Sequence, residues 1–431
     1  MSSAEARRVV CGVARGVARP PSSKSLTHRA YAIALLAGER VEVERPLDAD
    51  DTRLFLATLE ALGFTVERGW DRVAISRPPR VARRAELDCG NAGTLFRFLA
   101  ALASTLPGEW RVDGTPRLRE RPIGPLVGAL RALGVVVDCP GEEGHAPLVV
   151  HGGTLAGGRV ALDAGESSQY LSALLLAGQR AAGPIEIEVE RLVSAPYVAL
   201  TVDLLRAHGG VVEQPAPGLW RTRPSALRGG TIAIEPDLSA AAYPAAAAAL
   251  TGGDILLEGV SLASKQGDRR LLDLLARMGA AVVQETGGVR VSARALRAID
   301  DDLSDIPDQV PTVAALAPFA RGTTQIRNVA HLRVKESDRL AAMASELRRA
   351  GAEVEELADG LVIPGLWCDR EPPSSPVTID PHGDHRIAMA MALVGLRRLN
   401  LSIADPQVVA KSWPEFWSEL ERWTAASEEA R

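Results

Sequence analysis

A repeat of 70 to 75 residues runs through the chain and constrains its fold more than any other feature. Each copy contains an amphipathic helical segment, a glycine and two short runs of alternating apolar residues. A glycine directly after a helix is typical of a left-handed cap, because it has no Cβ to clash in that conformation. The alternating runs predict a β-hairpin in every copy. The capping glycines are Gly63, Gly134, Gly209, Gly279 and Gly351.

A second kind of helical segment alternates with the first. It is rich in alanine and leucine and apolar on nearly all faces, so we expect it to be buried. A further amphipathic segment, residues 414–423, ends the pattern without a hairpin of its own. The apolar segments begin near Lys24, Asn91, Ser168, Ser239, Pro311 and His385.

The two segment types together predict an α/β (α+β) chain of six βαβαββ-type repeats, one of which is split between the two ends of the chain. We expect three repeats in each of two domains, residues 22–236 and residues 1–21 plus 237–431. The chain would cross twice between the domains, which gives a two-stranded hinge. A single continuous solenoid is the alternative, although solenoid repeats are usually shorter, about 20–50 residues.

Composition and simple motifs argue against several functional classes. A net charge of −5 argues against a nucleic-acid partner, although clustered charges can still form a local basic cleft. The four cysteines are scattered, so we expect reduced thiols and neither a zinc site nor a disulfide framework. Residues 1–8 contain no apolar leader and no run of about 18 apolar residues occurs, so we expect a cytoplasmic chain without a membrane partner. Motifs for nucleotide loops, zinc proteases and serine hydrolases are absent from the sequence.

Polar clusters precede four of the apolar helical segments. A helix N-terminus offers unpaired N–H groups and a partial positive charge, so it favours phosphate or carboxylate. Any one cluster could be ordinary helix capping. Four clusters at equivalent positions of the repeat instead favour anion binding. The clusters are SSKS at residues 22–25, GNAGT at 90–94, SSQ at 167–169 and GDHR at 383–386.

Basic residues accompany these clusters. Arginine is well shaped for bidentate contact with carboxylate or phosphate, whereas lysine acts as a point charge. Arg29 and Arg97 lie within apolar helical segments, where an unpaired charge would be costly. The set comprises Lys24, Arg29, Arg97, Arg121, Lys335, Arg339, Arg386 and Lys411.

Two carboxylates stand close to these cations. Asp308 lies in DIPD, just before the apolar segment that begins near Pro311, and Glu336 lies within RVKESDR. Nearby cations lower the pKa of a carboxyl and burial raises it, so either residue could act as an acid or a base. Asp308 could equally be a helix N-cap, and Glu336 could be an ion-pair partner of Arg339. The residues alone do not decide between these roles.

Ten successive segments resemble the signatures of one enzyme family, the 5-enolpyruvylshikimate-3-phosphate synthases. The resemblance covers residues 21–417 and implies two domains of three repeats, inside-out α/β barrels that close over shikimate 3-phosphate and phosphoenolpyruvate. It implies addition and elimination that move the carboxyvinyl group to the 5-hydroxyl, a step of the shikimate pathway to aromatic amino acids. It also implies no cofactor, and we expect a monomer. The segments are PSSKSLTHRA, GNAGTLFRFLA, RERPIGPLVGAL, GESSQYLSALLLAG, SAPYVALTVDLL, KQGDRRLLDLL, DIPDQVPTVAALA, RNVAHLRVKESDRL, GDHRIAMAMAL and KSWPEFW.

The resemblance also implies roles for individual residues. Asp308 would be the base toward the 5-hydroxyl, and Glu336 the acid–base group at the methylene carbon, with Lys24 as its partner. Shikimate 3-phosphate would be held by Lys24, Ser25, Arg29, Ser167, Ser168, Gln169, Ser194, Tyr197, Asp308, His331 and Lys335. Phosphoenolpyruvate would be held by Lys24, Asn91, Gly93, Arg121, Gln169, Arg339, Arg386 and Lys411.

Two departures from the family pattern and two rival functions stay open at this point. His331 stands where many members have asparagine, and Phe98 stands where many have proline. The family is the target of the herbicide glyphosate, and Phe98 leaves the sensitivity of this chain open. One rival is a UDP-N-acetylglucosamine carboxyvinyltransferase, although residues 110–121 lack the cysteine that is usual there. The other rival is a non-catalytic, anion-binding relative.

Overall fold

The computed structural model of the chain describes residues 5–153, 155–293 and 295–425. The outer ends of the predicted split domain, residues 1–4 and 426–431, lie outside this part. The chain divides into two compact units: Ser22–Glu235, and Met1–Pro21 together with Pro236–Arg431. It therefore passes between the units after residue 21 and again after residue 235.

The six apolar segments predicted from the sequence are helices, and each begins within two residues of the expected position. The amphipathic segments are also helical. In chain order the α-helices are α1 (Lys24–Leu36), α2 (Asp50–Ala61), α3 (Gly93–Ala103), α4 (Pro116–Arg119), α5 (Gly124–Ala132), α6 (Gln169–Ala177), α7 (Ala195–Ala207), α8 (Leu238–Thr251), α9 (Arg270–Arg277), α10 (Val310–Leu316), α11 (Arg339–Arg349), α12 (His385–Gly395) and α13 (Phe416–Thr424).

Short strands separate the helices. In chain order they are β1 (Arg7–Arg8), β2 (Arg15–Ala18), β3 (Val41–Glu44), β4 (Thr65–Arg68), β5 (Arg72–Ser76), β6 (Arg84–Asp88), β7 (Gly108–Asp113), β8 (Val136–Asp138), β9 (Leu148–Gly152), β10 (Gly158–Ala164), β11 (Ile185–Leu192), β12 (Val211–Ala216), β13 (Leu219–Arg223), β14 (Gly230–Ala233), β15 (Asp254–Glu258), β16 (Ala281–Glu285), β17 (Gly288–Ser292), β18 (Asp300–Asp302), β19 (Thr323–Arg327), β20 (Glu355–Leu357), β21 (Gly360–Pro364), β22 (Val377–Ile379) and β23 (Leu401–Ile403).

Each unit contains three small mixed sheets over the described ranges. One sheet shows the pattern: β6 and β7 run parallel with Leu87 opposite Val112, and α3 connects them. The hairpin of β8 and β9 then pairs antiparallel, with Trp110 of β7 opposite Val150. A parallel pair followed by a hairpin is the βαβαββ unit predicted from the repeat.

Strand order departs from chain order where the chain changes units. β2, which precedes α1 in the sequence, pairs with β15, whereas β14, which precedes α8, pairs with β3. The N-terminal β1 completes the sheet of β22 and β23, so the split repeat draws on both ends of the chain. Sheet hydrogen bonds therefore hold the chain just before each passage between units.

The five repeat glycines cap their helices as predicted. All have positive φ, between 84° for Gly134 and 108° for Gly279.

The apolar helices of each unit lie in a hydrophobic core of that unit. Among the helices that the structure describes, none combines the length and the apolar character needed to cross a membrane.

Candidate active site

Arg339 organises a cluster of carboxylates in the unit that holds both chain ends. Its side chain is 1% exposed, and its Nη1 donates to Asp308 Oδ1 at 2.8 Å. Nη2 donates to Glu336 Oε2 at 2.9 Å, and Nε donates to Asp384 Oδ2 at 2.7 Å. Burial disfavours the charge of the guanidinium, but the surrounding carboxylates, led by Asp384, hold the pKa of Arg339 above its usual range.

Asp308 is held by a second arginine as well. It lies in the 3-10 helix Pro307–Gln309, and Arg386 Nη2 donates to its Oδ2 at 2.7 Å. Burial alone would raise the pKa of Asp308. The charges of Arg386 and Arg339 outweigh this effect and hold the pKa below its ordinary value of 3.8. Asp308 is thus an ionised carboxylate between two guanidinium groups, which we call the Asp308 clamp.

Asp384 connects the first turns of two helices. It is the N-cap of α12, and its Oδ1 accepts from the backbone N–H of Arg386 at 2.9 Å. Its Oδ2 accepts from Ser337 Oγ at 3.2 Å as well as from Arg339. The sequence analysis placed Asp384 in the GDHR cluster but gave it no role, although its position before Arg386 was the available signal.

Asp268 is a buried carboxylate that the sequence analysis missed. Gln309 Nε2 donates to its Oδ2 at 2.9 Å, and Ser239 Oγ donates to the same oxygen. Burial is the main cause that raises the pKa of Asp268 to about 6, and the charge of Asp308 adds to it. Asp268 lies in the family segment KQGDRRLLDLL, but the sequence analysis gave this residue no role.

His331, Lys335 and Lys411 lie in or directly after short 3-10 helices of the same unit. His331 is in the 3-10 helix Ala330–Val334 and is 6% exposed, and within the described residues its Nε2 has no hydrogen-bond partner. Burial, and then the charge of Lys335, lowers the pKa of His331 to about 3, so the ring is neutral. Lys335 follows this turn directly, and its charge also acts on Asp308. Lys411 is the last residue of the 3-10 helix Pro406–Lys411.

In the other unit, two arginines enclose Gly93 at the start of α3. Arg121 Nη1 donates to the backbone oxygen of Asn91 at 3.1 Å, and Arg97 Nη1 approaches that of Gly93 at 3.3 Å. A Cβ added to Gly93 would lie 2.4 Å from Arg121 Nη2 and 2.7 Å from Arg97 Nη1. A side chain at position 93 would therefore displace the two guanidinium groups.

Gln169 joins this arginine pair to the start of α6. Its Oε1 accepts from Arg97 Nη1 at 3.2 Å, and its Nε2 donates to Thr94 Oγ1 at 2.8 Å. Ser167 Oγ accepts from the backbone N–H of Gln169 at 3.2 Å, while Ser168 is the buried N-cap residue of the helix. The predicted SSQ cluster thus contacts the GNAGT cluster through one amide side chain.

Arg29 connects α1 to α7. Its guanidinium donates to Thr201 Oγ1 at 2.8 Å and to the backbone oxygens of Ser25 at 2.8 Å and Tyr197 at 2.7 Å. Burial lowers the pKa of Arg29 to about 10, so the buried side chain stays charged at neutral pH. The centre of the Phe98 ring lies 5.5 Å from the guanidinium carbon of Arg29. Phe98, which stands where many family members have proline, therefore packs against Arg29. Helix α3 continues through Phe98 without interruption.

Lys24 and Ser194 lie at the N-terminal ends of the same two helices, α1 and α7. Lys24 begins α1, and its Nζ lies 3.1 Å from Asp51 Oδ2. Ser194 precedes α7 in a left-handed conformation with φ of 52°. Asp51 and Thr201 were not among the predicted site residues, because their contacts join segments far apart in the sequence.

Comparison with known proteins identifies the family. The family model for EPSP synthase (3-phosphoshikimate 1-carboxyvinyltransferase) matches residues 12–420. The chain belongs to this family. The 3-phosphoshikimate 1-carboxyvinyltransferase of Syntrophobacter fumaroxidans is 46% identical over 407 residues, 93% of this chain and 95% of the relative. That of Nitrosomonas europaea is 40% identical over 423 residues, 94% of this chain and 96% of the relative.

Solved structures agree with this assignment. An EPSP synthase structure from Acinetobacter baumannii has a TM-score of 0.78 and 27% identity, and the match covers 97% of this chain and 98% of that chain. The enolpyruvyl transferase NikO from Streptomyces tendae has a TM-score of 0.74 at 18% identity, over 97% of each chain, and shares the fold. The predicted family and fold class are therefore confirmed.

The site residues expected from the EPSP synthase family divide between the two units. Within each unit, many of them contact one another or the same neighbouring residues. The unit of residues 22–235 contains Lys24, Ser25, Arg29, Asn91, Gly93, Arg121, Ser167, Ser168, Gln169, Ser194 and Tyr197. The other unit contains Asp308, His331, Lys335, Glu336, Arg339, Arg386 and Lys411.

Proposed function

We propose that the chain transfers the carboxyvinyl group of phosphoenolpyruvate to the 5-hydroxyl of shikimate 3-phosphate and releases phosphate. The observation that carries this proposal is the Asp308 clamp, an ionised carboxylate held by two arginines, in a chain that belongs to the EPSP synthase family. Curated relatives with the name of this activity align with almost the whole chain.

The basic residues suit substrates that carry several negative charges. We assign phosphoenolpyruvate to Lys24, Asn91, Gly93, Arg121, Gln169, Arg339, Arg386 and Lys411. We assign shikimate 3-phosphate to Lys24, Ser25, Arg29, Ser167, Ser168, Gln169, Ser194, Tyr197, Asp308, His331 and Lys335. Guanidinium groups and helix N-termini favour phosphate and carboxylate, and both occur at these positions.

Substrate binding would change the basicity of Asp308. Arg339 and Arg386 both donate to Asp308, and their charges hold its pKa low. A phosphate or carboxylate that binds these arginines takes over part of their hydrogen bonding and neutralises part of their charge. The pKa of Asp308 then rises, and the carboxylate becomes a better proton acceptor. In this way, the binding of phosphoenolpyruvate makes Asp308 a stronger base.

The reaction then proceeds in two steps. Asp308 accepts the proton of the 5-hydroxyl of shikimate 3-phosphate, and the hydroxyl oxygen forms a bond to C2 of phosphoenolpyruvate. At the same time C3 takes up a proton and becomes a methyl group. In the second step C3 gives back its proton and the bond between C2 and the phosphate oxygen breaks. Phosphate departs with the proton that Asp308 had accepted. The vinyl ether and phosphate are the products, and no oxidant or reductant is required.

Glu336 and Lys24 are the groups that we assign to the proton at C3. Glu336 lies 2.9 Å from Arg339, so its position is tied to that of Asp308 through one guanidinium. Lys24 is in the first turn of α1 and is mostly buried beside Asp51. A carboxylate and an ammonium can exchange a proton with carbon when both are held in place. We further propose that the chain works as a cytoplasmic monomer without a cofactor.

Phosphate release from purified protein tests the function. With phosphoenolpyruvate and shikimate 3-phosphate, we expect stoichiometric release of phosphate and formation of the vinyl ether. Parallel reactions contain UDP-N-acetylglucosamine as acceptor, or no acceptor. Release with the nucleotide sugar alone would overturn the proposal in favour of the rival transferase. No release with either acceptor would favour the non-catalytic relative.

A further inference from the structure

Asp268 ties the turn that carries Asp308 to the first turn of α8. It lies in the 3-10 helix Gly267–Arg269, just before α9, and is 3% exposed. One oxygen, Oδ2, accepts from Gln309 Nε2 at 2.9 Å and from Ser239 Oγ. Gln309 is fully buried and directly follows Asp308 in the chain. One residue, Gln309, therefore links the side chain of Asp268 to the turn that carries Asp308.

Two charges from neighbouring elements act on Asp268. Asp308, on the turn before α10, disfavours its ionisation, whereas Arg386, in the first turn of α12, favours it. Arg386 also donates to Asp308, so the three side chains form one electrostatic group. Other charged or titratable side chains near this group are Lys335, Glu336, Arg339 of α11, Asp384 before α12 and Tyr243 of α8.

We propose that Asp268 is a positioning residue for carboxyvinyl transfer, which fixes Asp308 through Gln309 and strengthens it as a base by its own negative charge. The inference rests on the proposed function. Two nearby carboxylates repel each other, so an ionised Asp268 favours the protonated form of Asp308. Asp308 then accepts the proton of the hydroxyl more readily. Protonation of Asp268 removes this assistance.

The pH dependence of turnover follows from this arrangement. Burial, followed by the charge of Asp308, raises the pKa of Asp268 to about 6. As the pH falls through this value, Asp268 takes up a proton and Asp308 becomes a weaker base. We therefore expect an acidic limb near pH 6 in the profile of kcat/KM, which reports the enzyme without substrates. In this state the pKa of Asp308 lies below its ordinary value.

Asp268→Asn removes the charge with little change in shape. We expect kcat at pH 8 to fall by about tenfold, the KM values to change by less than about threefold, and the acidic limb near pH 6 to disappear. The matched control is Asp273→Asn. Asp273 lies on α9, is exposed and pairs with Arg269, so its replacement should leave kcat and the pH profile unchanged.

Ser239→Ala provides a second variant in case Asp268→Asn does not fold. The hydrogen bond from Ser239 lowers the pKa of Asp268, so its removal should move the acidic limb to higher pH. If Asp268 had only a structural role, neither variant would shift the acidic limb. If the wild-type enzyme is active but both variants keep its acidic limb at the same pH, the inference is overturned and the proposed function still stands. A wild-type enzyme that releases no phosphate from the two substrates would overturn the proposed function as well.

Discussion

Arg339 Nη1 lies 2.8 Å from Asp308 Oδ1, which joins a residue proposed to hold phosphoenolpyruvate to the residue proposed as the base. The same buried guanidinium donates to Glu336 and Asp384. One side chain therefore fixes the positions of both carboxylates that we assign to proton transfer. Under the proposed assignment an anionic substrate would compete for this arginine, which would couple its binding to the basicity of Asp308.

Arg339→Lys tests the role of this arginine. Lysine keeps the charge but cannot donate in three directions from a planar group, so Asp308 and Glu336 should lose their fixed positions. Because lysine replaces only part of these hydrogen bonds, we expect a lower Tm and a fall in kcat/KM of about 10²-fold or more. Arg349→Lys, at an exposed position of the same helix, is the control and should behave like wild type. If both variants kept the Tm and kcat/KM of the wild type, the role assigned to Arg339 in fixing Asp308 and Glu336 would be contradicted.

Gly93→Ala tests the arginine pair of the other unit. The new Cβ would lie 2.4 Å from Arg121 Nη2, so the guanidinium must move away from the start of α3. We expect the KM for phosphoenolpyruvate to rise by about tenfold or more, with a smaller effect on the KM for shikimate 3-phosphate. Gly128→Ala is the matched control, because a Cβ there has no heavy atom within 4 Å. Unchanged KM values in the Gly93 variant would argue against this position as part of the phosphoenolpyruvate site.

The stability of the protein should depend on pH through Asp268. Its pKa is about 6 in the folded state and 3.8 ordinarily, mainly because it is buried. A raised pKa means that the protonated form stabilises the fold below pH 3.8 and that this stabilisation is lost as the pH rises through 6. Relative to Asp268→Asn, the wild-type free energy of unfolding should fall by about 2 kcal/mol between pH 4.5 and 7.5. Urea denaturation of both proteins measures this difference, and a constant difference would contradict the assigned pKa.

Local features of the fold could be predicted from the sequence because they depend on neighbouring residues. A glycine such as Gly279 marks a left-handed helix end wherever it follows an amphipathic segment. The start of α12 could be predicted because an apolar run follows the N-cap Asp384. The same reasoning placed polar clusters at the helix N-termini that contribute Arg386 and Gln169 to the site.

Pairings between distant segments could not be predicted in this way. The predicted domain bounds place β2 with β15 and β14 with β3, but the repeat does not specify that these strands pair or in which register. The contact of Asp268 with Gln309 joins residues 41 positions apart, and that of Arg29 with Thr201 joins residues 172 apart. Such contacts follow from the packing of helices, which one sequence does not specify residue by residue.

Turnover of Asp308→Ala tests the central claim most directly. The variant should still bind shikimate 3-phosphate in calorimetry, because the other assigned contacts remain. With both substrates saturating, its rate of phosphate release should be lower than that of wild type by about 10²-fold or more, since the proposed general base is lost. A variant that binds shikimate 3-phosphate and turns over at nearly the wild-type rate would contradict the role of Asp308 as the base.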